Sequence, residues 1–219
     1  MKKLNIKIIP DELLIKIPVK DNNEKLVNLR KYCPEIIINI DPQSKRIQQL
    51  SKNTCYIRKS VALKLCKAQK LLPVDYYLMI WEAHRPLKVQ KKMYSDLYNK
   101  LKKKHYNWTK EKIKQETDKF VAPIEIIPPH STGGTIDLTI IGPNGKQLNM
   151  GTKLDTFNKK SHTFSKVISK ISMNNRKLLI KVMTKSGFVN YPIEWWHWSY
   201  GDRYWAATLK KKFSIYKGI

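Results

Sequence analysis

Apolar residues recur along this chain in two rhythms. Val61, Leu65, Ala68 and Leu72 follow the spacing of one helix face, so an amphipathic helix is predicted from Val61 to Leu72. Lys88–Lys104 and Lys110–Phe120 read as two more helices with lysine-rich outer faces, and Asn174–Ser186 as another, with Gly187 placed to cap its C-terminus. Short runs rich in β-branched and aromatic residues alternate with these. Ile36–Ile38 is a predicted strand, and Asp75–Trp81 a buried strand running into the turn Glu82-Ala-His-Arg-Pro86. Thr135–Ile141 is another strand, closed by the turn Gly142-Pro-Asn-Gly145, and Phe188–Ser199 is a strand-like aromatic segment. Strands and helices mix without strict βαβ alternation. The expected class is therefore α+β, with a mainly antiparallel sheet and helices packed around it. No repeat or Gly/Ser/Pro linker divides residues 1–219, and a single domain is expected.

Composition changes this picture in one respect, the charge. The formal net charge is +26, with 42% hydrophobic residues, so the chain is globular but very basic. The positive residues are spread along the sequence, and only six are arginines, at positions 30, 46, 58, 85, 176 and 203. Readers of base edges and phosphates rely on arginine forks. A lysine, isoleucine and asparagine excess is also what an AT-rich coding sequence produces. No specific nucleic-acid partner is expected. Cys33, Cys55 and Cys66 are odd in number and lack a paired spacing, which argues against a disulfide scaffold. Lys7 and Pro10 interrupt the apolar run after Met1, so no signal peptide is read, and no stretch approaches a membrane span. A cytoplasmic location is expected.

Two segments carry candidate chemistry. Pro129-His-Ser-Thr-Gly-Gly-Thr-Ile-Asp-Leu138 sets His130 in a loop and Asp137 in the following strand, with glycines between that let the chain bend sharply. Glu194-Trp-Trp-His197 sets a carboxylate and an imidazole three residues apart, which on a strand requires a bend before they share a face. Zinc enzymes take three His or carboxylate ligands and leave one position for water. His130, Asp137 and His197 supply that set, for one zinc per chain; Glu194 is then placed as general base, and Arg85 as the group that stabilises an oxyanion. Each motif alone is ordinary: a His and an Asp about a turn, or one ion pair among core tryptophans. Their coincidence gives the reading its force. His84 reads as a loop residue or a support to the site, His105 as solvated, and His162 as structural. Trp195, Trp196 and Trp198 read as core and cleft wall, and the cysteines as small buried residues.

The same residues carry a resemblance. The blocks Trp81-Glu-Ala-His-Arg-Pro86, His130-Ser-x-Gly-x-x-x-Asp137-Leu-Thr139, Met150-Gly-Thr-x-x-Asp155, Asn175-Arg176, Ser186-Gly-Phe188 and Glu194-Trp-Trp-His197 occur in order over about Tyr32–Trp205. In this the chain resembles the D-alanyl-D-alanine dipeptidases, zinc enzymes that share a fold with zinc D-Ala-D-Ala carboxypeptidases and the Hedgehog signalling domain. The resemblance implies zinc ligands at His130, Asp137 and His197, the catalytic carboxylate at Glu194 and the transition-state arginine at Arg85. It matches Asp155 more loosely to the ammonium end of a dipeptide, and Tyr32 more loosely still to a cleft tyrosine. Pro128 and Pro129 stand where that family usually has serines, and Ala-His-Arg-Pro where it commonly has Gly-Tyr-Arg-Pro. The implied activity is zinc-dependent hydrolysis of D-alanyl-D-alanine or a similar small D,D-dipeptide. The alternatives are a zinc carboxypeptidase or endopeptidase acting on peptidoglycan stem peptides, and a non-catalytic binding domain on the same fold. The oligomeric state is not legible.

Overall fold

The computed structural model describes residues 8–48, 54–121 and 127–219. Its centre is a five-stranded sheet in the order β2-β4-β5-β7-β6. The strands are β2 (Ile37–Ile38), β4 (Tyr77–Glu82), β5 (Thr135–Ile141), β6 (Val189–Asn190) and β7 (His197–Ser199). All neighbours are antiparallel except β2 and β4, which run parallel. A two-stranded antiparallel ribbon, β1 (Leu26–Asn28) with β3 (Tyr56–Arg58), stands beside it. The helices are α1 (Asp11–Leu14), α2 (Pro42–Gln48), α3 (Lys59–Lys70), α4 (Leu87–Lys104), α5 (Lys110–Asp118), α6 (Lys170–Lys185) and α7 (Arg203–Thr208). The α+β class and the mainly antiparallel sheet therefore hold. Among the described residues no helix is long and apolar enough to cross a membrane.

β5 organises the molecule. All seven of its residues are buried, because it lies between β4 and β7 and is covered on both faces. Ile136, Leu138 and Ile140 point into the main core, where Val61, Leu65 and Ala68 of α3 meet Leu179, Val182 and Met183 of α6. Alternation then turns Thr135, Asp137 and Thr139 to the opposite face. The helical spacing of α3 and α6 thus serves as the sequence rhythm indicates, although both helices begin earlier than predicted. In α6 the start is set by Ser169, whose side chain accepts from Ser172 N–H.

The aromatic segment Phe188–Ser199 is the main correction. It is a hairpin of two short strands, β6 and β7, around the turn at 191–196. The Asn190 side-chain amide closes the turn by donating to the carbonyls of Glu194 (3.1 Å) and His197 (2.9 Å). The segments α1, α2, α7 and the β1–β3 ribbon were not predicted; each is short, and none shows a full turn of apolar periodicity.

Candidate metal centre

Register brings the site together. Asp137 on β5 pairs directly with His197 on β7 and with Glu82 on β4. Directly opposed residues share a face, so one row across three strands carries two carboxylates and an imidazole. The Glu82 end of this row depends on a bulge. Between Ile80 and Glu82 the ladder with β5 slips by one residue at Trp81. Strict alternation would put Glu82 on the core face with Leu78 and Ile80; the extra residue turns it to the face of Asp137.

His130 arrives from the other direction. It lies in a single 3-10 turn, Pro129–Thr132, which ends at Gly133 with φ +71. That left-handed conformation suits glycine, and an added Cβ would also strike Leu26 at 2.6 Å. The turn aims the imidazole at Asp137. His130 Nδ1 lies 3.0 Å from the Ala83 carbonyl and donates to it, which leaves Nε2 facing Asp137 Oδ2 at 3.2 Å. His197 Nδ1 lies 3.0 Å from Asp137 Oδ1 and 3.6 Å from Glu194 Oε2. The bend that Glu194 and His197 require is present: His197 N–H bonds back to the Glu194 carbonyl at 3.2 Å.

These atoms fit a metal better than they fit one another. One donor atom from each of His130, Asp137 and His197 lies within 4.8 Å of the others. Asp137 Oδ1 is buried and makes no hydrogen bond, despite its 3.0 Å approach to His197, because the angle is wrong. A bare Nε2 lone pair 3.2 Å from a carboxylate oxygen is stable only with positive charge between them. A proton or a cation meets that need, and two imidazoles with one carboxylate form a donor set suited to zinc.

The electrostatics follow. Burial alone would raise Asp137, but His130 and His197 outweigh it and hold the carboxyl well below its usual range. Burial would likewise lower His197, but Asp137 overrides it and lifts the imidazole to about 9. Burial lifts Glu194 to about 7; Asp137 adds to the rise while His197 opposes it. Such a carboxyl can both take and return a proton near neutrality.

Arg85 stands across the cleft, held by Glu82 through Nη2 (2.9 Å) and Nε (3.3 Å) and by Gln90 through Nη1 (3.1 Å). Sequence reasoning named Arg85 but gave Glu82 and Gln90 no role. The signal was the spacing of three from Glu82 to Arg85, which means nothing until the bulge is known. Asp155 faces the same cleft, with φ +55, and accepts from Trp81 Nε1 at 2.8 Å. The cleft has a volume of about 790 Å³, is walled by Trp196 and Phe157, and is flanked by α4 and α5. Tyr32 is not among its lining residues, and the His162 side chain is exposed. His105 is not simply solvated: it stacks on Trp108.

A strap from residues 214–219 closes the back of the site. Ile219 N–H donates to the Ser131 carbonyl (2.9 Å), and the Ile219 carbonyl accepts from Leu87 N–H (3.1 Å) and meets His84 Nε2 (3.3 Å). Arg58 ties the Thr132 carbonyl (2.8 Å) to that of Lys217 (3.2 Å). The His130 turn and the Arg85 loop therefore lean on one short segment. Removing Lys217–Ile219 is expected to lower metal affinity roughly tenfold to a hundredfold, the usual scale for groups that orient ligands, as measured by competition with a chelator.

Comparison with known proteins places the chain in a family. The pattern of a peptidase family described as D-ala-D-ala dipeptidase matches residues 37–216. A D-alanyl-D-alanine dipeptidase of Enterococcus faecalis is 32% identical over 155 residues, covering 68% of this chain and 75% of that protein. One from Escherichia coli K12 is 25% identical over 199 residues, covering 88% and 93%. A solved vancomycin-resistance D,D-pentapeptidase, VanY, in complex with Zn(II), is similar with a TM-score of 0.44 at 14% identity, over 75% of this chain and 84% of that one. With the family pattern running over most of its length, the chain belongs to the D-ala-D-ala dipeptidase family of peptidases.

Proposed function

We propose that this protein is a zinc dipeptidase that hydrolyses D-alanyl-D-alanine or a closely similar D,D-dipeptide. One observation carries the reading: one donor atom from each of His130, Asp137 and His197 lies within 4.8 Å of the others, Asp137 Oδ1 is buried without a hydrogen bond, and Glu194 Oε2 lies 3.6 Å from His197 Nδ1. His130 Nε2, an Asp137 carboxylate oxygen and His197 Nδ1 are the groups that hold the metal. Bound zinc supplies Lewis-acid chemistry, acidifying a water and polarising a carbonyl. Glu194 Oε2 takes a proton from the attacking water as its oxygen bonds to the scissile carbon. It then returns that proton to the amine nitrogen as the C–N bond breaks. The Arg85 guanidinium, fixed on Glu82 and Gln90, supports the negative charge that grows on the carbonyl oxygen. Asp155 offers a carboxylate to the substrate's ammonium group.

The size of the cleft favours a second reading. At about 790 Å³ it takes more than a dipeptide, so a stem peptide ending in D-Ala-D-Ala is the competing substrate. The test is D-alanine release from the dipeptide, from such a pentapeptide and from L-Ala-L-Ala. The dipeptide is expected to show the highest kcat/KM, and L-Ala-L-Ala none. A preference for the pentapeptide reassigns the enzyme as a carboxypeptidase. Loaded protein that cleaves none of the three is a binding domain.

A further inference from the structure

The tip of the α4–α5 hairpin has no part in this chemistry, and its composition is unusual even for so basic a chain. Between Asp96 and Glu111 there is no acidic residue, yet this stretch contains Lys100, Lys102, Lys103, Lys104 and Lys110. Elsewhere on the hairpin several lysines are paired, as in Lys92–Asp96, Lys112–Glu116, Lys114–Asp118 and Lys119–Glu116. Among the described residues the five at the tip form no ion pair. Three of them occupy the last turn of α4, whose dipole concentrates partial negative charge there and helps to hold them. Aromatic side chains sit among these charges. Tyr106 is 92% exposed, the most open of the large apolar or aromatic side chains among the described residues. Trp108 lies flat on His105, with ring centroids 3.8 Å apart and planes 6° from parallel.

We infer that this tip docks the protein on an anionic phospholipid surface. Lysine ammonium groups are compact point charges suited to a diffuse layer of phosphate headgroups, and tyrosine and tryptophan favour the depth where headgroups meet acyl chains. A nucleic acid fits the same tip less well. The tip has no arginine to fork onto a phosphate or a base, and the Trp108 face that a base would stack on is taken by His105. The position also suits a peripheral anchor. α4 starts directly after the Arg85 loop and runs 18 residues, which sets its far end about 27 Å along the helix from that loop at 1.5 Å per residue; Lys100 lines the outer end of the cleft, and Lys102, Lys103 and Lys104 lie beyond it.

The test must separate this tip from the overall charge of +26. The full chain is sedimented with phosphatidylcholine vesicles, with and without phosphatidylserine, at physiological ionic strength. Binding is expected only with phosphatidylserine. Reversing Lys102, Lys103 and Lys104 to Glu is expected to weaken it by at least about a hundredfold, since one lysine near such a surface is worth roughly fivefold. The same reversal at Lys210, Lys211 and Lys212, which are exposed at the end of α7, removes equal charge and is expected to cost far less. Tyr106→Ser leaves the charge unchanged and is expected to weaken binding severalfold; it keeps the test decisive if the triple variant lowers the melting temperature. Equal losses in the two triple variants would overturn the proposal in favour of bulk charge. Absent binding, or tip variants that lose a single-stranded oligonucleotide but keep the vesicles, would overturn it too.

Discussion

Glu194→Gln is expected to reduce hydrolysis of D-Ala-D-Ala by at least about a hundredfold while zinc content stays at the wild-type level. Glutamine keeps the size of the side chain and cannot take a proton. The three donor atoms belong to other residues, so the metal has no reason to leave. KM should change little, because the lost interaction belongs to the transition state. The pH profile gives an independent readout. A base works only when deprotonated, and burial lifts this carboxyl to about 7, so activity is lost as pH falls through that region. A cation beside it moves this acid limb to lower pH, and Glu194→Gln removes the limb from whatever rate survives. An enzyme that keeps wild-type turnover with glutamine here does not use this base.

The second large effect is expected at Asp137. Asp137→Asn should lower metal affinity by more than the hundredfold that bounds changes to supporting groups, and abolish activity at ordinary zinc concentrations. This residue holds the centre of the site: both imidazoles face its carboxylate, at 3.2 and 3.0 Å. The substitution also removes the main reason that His197 titrates at about 9. His197 in the metal-free variant should therefore titrate well below its wild-type counterpart, as followed by NMR. Metal content by elemental analysis, on the samples used for kinetics, decides the first point. Retention of a full zinc complement in Asp137→Asn would take the carboxylate out of the metal centre.

Much of this was legible before the fold was known, and the reason differs from residue to residue. His130, Asp137, Glu194, His197 and Arg85 stand out because sharp-turn glycines, a carboxylate–imidazole pair and an arginine loop are local features. Long periodic segments were also readable, since α3 and α6 each bury one continuous stripe and α4 half-buries one. Glu82 was not. A period of two puts it with Leu78 and Ile80 in the core, and only the slip at Trp81 turns it to the cleft. The hairpin hidden in Phe188–Ser199 was missed because its tryptophans favour extended structure at every position, while the turn depends on the Asn190 side chain. The strap was beyond reach for another reason: its bonds are mainly backbone to backbone, and backbone groups leave no mark on a sequence.

That strap also bears on how the protein comes to exist. Val19 bridges Ser214, and Tyr216 bonds Glu24, a partner 192 positions earlier. Contacts so distant in sequence form late, because a long loop must close before any of them stabilises the chain. A nascent polypeptide can build α3 and pair β4 with β5 while it is still being translated, but residues 214–219 emerge only afterwards. The backing of the His130 turn therefore forms after the core, and an emerging chain carries its ligands before the brace that aligns them. Alignment of the ligand-bearing turn is thus a later event than formation of the core.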